Sequence, residues 1–281
     1  MNAIPEVRPS PFAGTWYSDD PAMLRRQIDA FLDDANLPDL QGQVTAVIAP
    51  HAGHRYSGQT AGHAFATVRG QQRDLVVVVS PMHGPFPASL ITSAHQAYAT
   101  PLGDVSIDQD ALAELNENLR QDGMSLTPVA NDQEHSLEIE LPFLQRALTG
   151  PWQLLPVMVR SQSPLVTRRL GTAMAQVMAG RNGLLVASTD LSHFYPQEMA
   201  EALDQEMLRR IRSFNPNDLF TAERNGKGFA CGVGAVAAVL WAAREMGANH
   251  IEILHYSTSG DQTGDRSSVV GYGAAAVLKH A

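Results

Sequence analysis

Three short stretches hold the residues best suited to chemistry, and each closes an apolar run. "VIAP" leads into His51, "VVVVSPM" into His83, and "LLVAST" into Asp190 and then His193. In open α/β sheets, ligands bind beyond the carboxyl ends of the strands. Three such strands would carry His51, His83 and Asp190/His193 to one edge. One histidine after a strand is ordinarily a turn residue, but three at equivalent ends point to a site. Gly53 is expected to let the backbone turn sharply without crowding a bound ion. His54 is left open, either supporting that site or simply exposed. Cys231 stands in "NGKGFACGVGAVAAV", between a glycine-rich loop and a helix start. Backbone N–H groups there favour a thiolate and a lowered pKa, although a free cysteine is also often a small buried apolar residue. Two imidazoles and a thiolate suit iron, copper or zinc.

"NDQEHSLEIELPF" adds Glu134, His135 and Glu138. If this stretch is helical, the H-x-x-E spacing puts His135 and Glu138 on one face, with His135 at the helix start and Glu140 exposed. His63 falls inside a helical stretch and reads as packed. His95, His250, His255 and His280 have no comparable setting and read as structural or surface residues.

The elements that must position these residues alternate between strand and helix. Strands are expected at "VTAVIAP", "RDLVVVVSP", "WQLLPVMV", "GLLVAST" and "HIEILHYST". Four consecutive valines imply burial on both faces, and Pro156 implies an edge or a bulge. Helices are expected from "SDDPAMLRRQIDAFLDDA", capped by Ser18, Asp19 or Asp20, and from "SGQTAGHAFATVRG", with Ser57 as cap. Further helices are expected around Leu115, Phe143 (with Pro142 in the first turn or at a kink) and Leu170, as a pair between Pro196 and Arg224, and beyond Gly232. The pattern predicts a layered α/β fold with a largely parallel central sheet flanked by helices, as one domain spanning residues 1–281.

Composition narrows the function classes. Charged residues make up 17% of the 281 and the net charge is −9, which argues against a nucleic-acid binder. The one dense basic run, "MLRRIRSF", reads as a helix face. A single cysteine excludes an internal disulfide and favours a reducing compartment. No stretch is apolar enough for long enough to span a bilayer, and "MNAIPEVRPSPFAG" lacks the pattern of a secretory leader. A cytoplasmic location is the expectation.

The motifs "AGTWYSDDP", "VIAPHAGHRYSG", "SPMHGP", "TPLGDVSID", "NDQEHSLEIELPFLQ", "STDLSHF" and "FACGVGAV" occur in the order seen in the Memo family. Its bacterial and archaeal members are called AmmeMemoRadiSam system protein B. The resemblance runs from about Pro9 to Leu278. It implies a fold similar to the catalytic subunits of class III extradiol dioxygenases, which use non-haem iron(II). It also implies a metal site of His51, His83 and Cys231, with the cysteine standing where the dioxygenases have a glutamate. His193 then resembles the dioxygenase acid/base histidine, with Asp190 beside it to orient it, and His135 resembles a further pocket residue.

Three functions follow as expectations. The first is a redox enzyme dependent on one iron(II) or copper ion, or on zinc, acting on a small molecule. The second is a non-catalytic protein of the Memo type that grips a peptide or small ligand in the same cleft. Its partners would include the radical-SAM and AMMECR1-like proteins of the named system, and self-association into a homo-oligomer is left open. The third is a hydrolase with Cys231 as nucleophile, disfavoured because no nucleophile elbow is present.

Overall fold

The computed structural model describes residues 5–280; residues 1–4 and 281, the ends of the expected domain span, lie outside them. Four parallel strands form the centre of the main sheet. They stand side by side in the order Gln43–Ala49, Gly183–Ser188, Leu75–Pro81, Gln153–Val159. Alternate residues face opposite ways along a strand, and here both faces are covered. Ala46, Ile48, Val77, Val79, Leu185 and Ala187 point into one core. Val47, Ala49, Val76, Val78, Leu184 and Val186 point into the other. The helices Gln109–Gln121, Pro164–Met178, Gln197–Arg212, Pro216–Arg224 and Val233–Glu245 close the first core. Pro21–Asp33, His54–Ala66 and Leu141–Ala147 close the second.

The sheet is mixed rather than purely parallel. Val269–Lys279 runs antiparallel to Gln43–Ala49, and His250–Thr258 runs antiparallel to Val269–Lys279. On the far side Leu90–Ser93 pairs antiparallel with Gln153–Val159 and parallel with Thr127–Val129. A small separate sheet joins Val7–Arg8, Ala97–Tyr98 and Val105–Ser106. These two- to four-residue strands are too short to show a period of their own in the sequence.

Several local expectations are refined. Asp20, of the three candidates, caps the first helix, accepting from Met23 N at 2.6 Å. The next helix begins at His54, so Ser57 is not its cap; the Ser57 hydroxyl donates to Ala52 O instead. Pro156 lies inside the sheet, not at an edge. Its in-register partner is Val78 on one side, while on the other Leu90–Ser93 pairs only with Met158 and Val159. The proline therefore sits where no ladder donor is required, and its carbonyl accepts from Thr92 Oγ1 at 2.8 Å. Pro142 occupies the first turn of its helix, as its missing N–H allows.

A candidate metal centre at the carboxyl ends of the parallel strands

The strands ending at Ala49, Ser188 and Pro81 are neighbours and run the same way, so the residues that follow each emerge together. His51, His83 and Cys231 meet there, with one donor atom of each within 4.8 Å of the others. The His51 and His83 rings lie 5.3 Å apart, and His135 joins them at 5.3 Å from His51 and 4.8 Å from His83. Cys231 Sγ is 3.2 Å from His51 Nε2. The loop before the Val233–Glu245 helix can come this close because residue 232 is glycine. A Cβ there would stand 2.2 Å from Ser188 O.

Each ligating candidate is anchored from behind. His51 Nδ1 meets Ser188 Oγ at 2.8 Å, and His83 Nδ1 meets Glu134 Oε1 at 2.9 Å, leaving the Nε2 atoms free. Glu134 also accepts from the N–H groups of His83 and Ser136 and lies 3.3 Å from His135 Nδ1. Burial alone would raise its pKa. The hydrogen bonds and charge of His83 and the backbone donors outweigh burial and bring it down to about 2. Burial lowers His135 to about 4 and takes His51 well below the ordinary imidazole value, so both are neutral near pH 7.

Other expectations at the site change. Burial, and then the nearby Asp190, push the Cys231 thiol up, against the lowering expected from its place before a helix start. Asp190 does not orient His193. Its Oδ1 accepts from the backbone N–H groups of His51 at 2.8 Å and Ala52 at 3.3 Å, while His193 Nδ1 donates to Leu191 O at 2.8 Å. Burial raises Asp190 to about 7 against those hydrogen bonds. His135 and Glu138 do not share a helical face. The stretch turns through a short 3-10 segment, Glu138–Glu140, that begins after His135. His135 faces the donor cluster, and Glu138 reaches away to Arg8 at 2.6 Å. Glu140 is fully buried, not exposed, and meets Ser188 Oγ at 2.6 Å. His54 is buried, donating from Nε2 to Ile139 O and stacking on Tyr17. Gly53 has φ −53°, open to any residue; its small size matters because a Cβ would lie 3.2 Å from Trp16 O.

Sequence reasoning singled out neither Trp16 nor Ser188, and it named Glu134 without a role. Trp16 packs on His135 with ring centroids 4.2 Å apart. Two hollows flank the cluster. One of about 150 Å³ reaches His83 and Cys231, and one of about 590 Å³ lies beside Trp16, Ala52, Arg55 and Phe194. His63 and His255 stack elsewhere at 4.1 Å, and His250 stacks on His280. No helix among the described residues is long and apolar enough to cross a membrane.

Comparison with known proteins agrees with the motif order. A solved structure of an Escherichia coli K12 protein is similar in fold, with TM-score 0.54, 12% identity, and 83% of this chain and 99% of that chain covered. A MEMO1 family protein of Methanothermobacter thermautotrophicus is 37% identical over 276 residues, covering 95% of this chain and 98% of the relative. One from Methanopyrus kandleri is 35% identical over 272 residues, covering 93% and 95%. The family model described as "Memo-like protein" matches residues 8–276, and with these relatives it places the chain in the Memo-like family.

Proposed function

We propose that His51, His83 and Cys231 hold one transition-metal ion and that the protein is a metal-dependent redox enzyme acting on a small molecule. The observation that carries this reading is the convergence of three soft-to-borderline donors within 4.8 Å, two of them with the rear ring nitrogen already engaged. Imidazole rings held this way present a fixed tautomer to a metal. The donor set fits iron, copper or zinc better than a hard cation that prefers oxygen. Iron or copper bound there would supply one-electron redox capacity and a position for a small ligand.

The chain's own residues then have separable roles. His193 donates from Nδ1 to Leu191 O, so Nε2 keeps its lone pair and can take a proton. Burial lowers its pKa, which keeps it unprotonated near neutrality. His135, neutral and packed against Trp16, is a pocket residue that can contact substrate. Asp190 fixes the backbone of His51. The hollow that reaches the donors His83 and Cys231 holds about 150 Å³, which supports a small substrate.

Metal analysis of protein purified without chelator tests the proposal. A near-stoichiometric ion should be present in the wild type and absent from His51→Ala and Cys231→Ala. If all three proteins are metal-free after exposure to iron(II), copper and zinc, the reading fails. Iron- or copper-loaded protein should also cycle between two oxidation states by electron paramagnetic resonance. A loaded site that stays in one state under oxidant and reductant would remove the redox half of the proposal.

A further inference from the structure

Behind His51 lies a chain of buried polar groups that the proposed chemistry does not use. Ser188 Oγ contacts three of them: His51 Nδ1 at 2.8 Å, Glu140 Oε1 at 2.6 Å and the Ser136 carbonyl oxygen at 2.8 Å. Ser136, Glu140 and Ser188 are fully buried, and His51 is nearly so, leaving none of them ready access to solvent.

A hydroxyl has one hydrogen to give and two lone pairs to receive with. The Ser136 carbonyl can only accept, so it takes the single Ser188 hydrogen. The other two neighbours must then donate to Ser188. For Glu140 this requires a protonated carboxyl; for His51 it requires the hydrogen on Nδ1. The alternative spends the Ser188 hydrogen on an ionised Glu140. It strands a buried carbonyl and buries a carboxylate with one hydrogen bond, its Oε2 having no partner. A second acid, Asp190, lies close enough to disfavour that charge further.

We propose that Glu140 is held as a neutral carboxylic acid that donates to Ser188 and, through it, locks His51 as the Nδ1–H tautomer with Nε2 bare. Glu140 and Ser188 are thus positioning residues, acting on the donor cluster without touching what it binds. In the metal-free protein the Cys231 thiol sits 3.2 Å from that bare nitrogen and can donate to it.

Two measurements test this. The first uses metal-free protein and does not depend on the proposed function. Infrared difference spectra of wild type against Glu140→Gln at neutral pH should contain the carbonyl stretch of a protonated carboxylic acid, lost in the variant and shifted in deuterium oxide. A difference spectrum with ionised-carboxylate bands instead overturns the proposal. The second is nitrogen NMR of labelled histidine. His51 should be protonated at Nδ1 alone in the wild type and in Glu140→Gln, whose amide also donates, and should become a tautomer mixture in Ser188→Ala. An unchanged His51 spectrum in Ser188→Ala overturns it as well. Zinc, as a redox-silent probe, should bind about 10- to 100-fold more weakly to Ser188→Ala. If zinc binds to none of these proteins, the metal reading fails while the infrared result still decides the state of Glu140.

Discussion

Two polar clusters share the loop from Asn131 to Glu140, and they are finished differently. In one, the Arg8 guanidinium donates to Asp132, Glu138, Pro9 O and Glu134 O, and Glu138 also accepts from Ser10 and Tyr17. Every nitrogen of that guanidinium has an acceptor. In the other, His83 and His193 each have one ring nitrogen engaged by the protein and one left over, and the second nitrogen of His51 meets only the Cys231 thiol, a weak donor. A closed cluster has spent its hydrogen-bonding capacity on the fold. An unfinished one retains capacity for something else. The loop connects them: Asp132 and Glu138 face Arg8, while Glu134 faces the histidines.

The contrast predicts where damage will fall. Replacing Arg8 with Met leaves Asp132 and Glu138 as buried charges without their cation, and should cost about 3–5 kcal/mol in denaturant unfolding. The same change frees the Glu134 carbonyl, so metal affinity should fall with stability; an unaffected affinity would show that the clusters are independent.

His54 gives a pH test between the two regions. Burial lowers its pKa from 6.5 to about 4, so the folded state disfavours its protonation. The associated stability is present above pH 6.5 and is lost as pH falls towards 4. Wild type should therefore lose about 3 kcal/mol more than His54→Gln between pH 7 and 4. Parallel curves for the two proteins would refute the assignment.

On the unfinished side, Glu134→Gln sets an amide NH2 against the N–H of His83 or Ser136, so it should cost about 1–3 kcal/mol in unfolding and, at the proposed metal site, weaken zinc binding about 10- to 100-fold, as for other groups that orient ligating histidines. An unchanged zinc affinity would mean that Glu134 serves the fold alone. The smallest effect is expected for Ser10→Ala, which removes one hydrogen bond to Glu138 and should cost about 1 kcal/mol with no change in zinc affinity.

The site was legible in the sequence where chemistry follows a long apolar run. His51, His83 and Asp190 each stand just past such a strand, and the rule for open sheets places those ends together. Glu134, Ser188 and Arg8 gave no such signal. Arg8 meets Glu138 across 130 residues, and no local pattern encodes that distance. Glu140 was misread because helical periodicity was applied to a stretch that is partly 3-10 and enters the core from its end. The upward shift of the Cys231 thiol was not legible for a related reason: burial outweighs the backbone dipoles at the helix start, and only the fold reveals that burial. The fold class came through more clearly because two-faced burial writes long valine and leucine runs. The antiparallel pairings of Val269–Lys279 and His250–Thr258 that make the sheet mixed wrote nothing comparable, because strand direction leaves no mark in a hydrophobic run.

The distance along the chain between the donors has a consequence for how the molecule forms. His51 and Cys231 are separated by 180 residues, and the strand carrying Ser188 inserts between the strands that lead to His51 and His83. Contacts of such high sequence separation are slow to form. During synthesis, a chain that has not yet released Cys231 from the ribosome has histidines but no complete donor set. An ion that binds only the finished cluster adds its stabilisation to the native state alone. Metal loading would then report the completion of folding, and partly built chains would receive no such stabilisation.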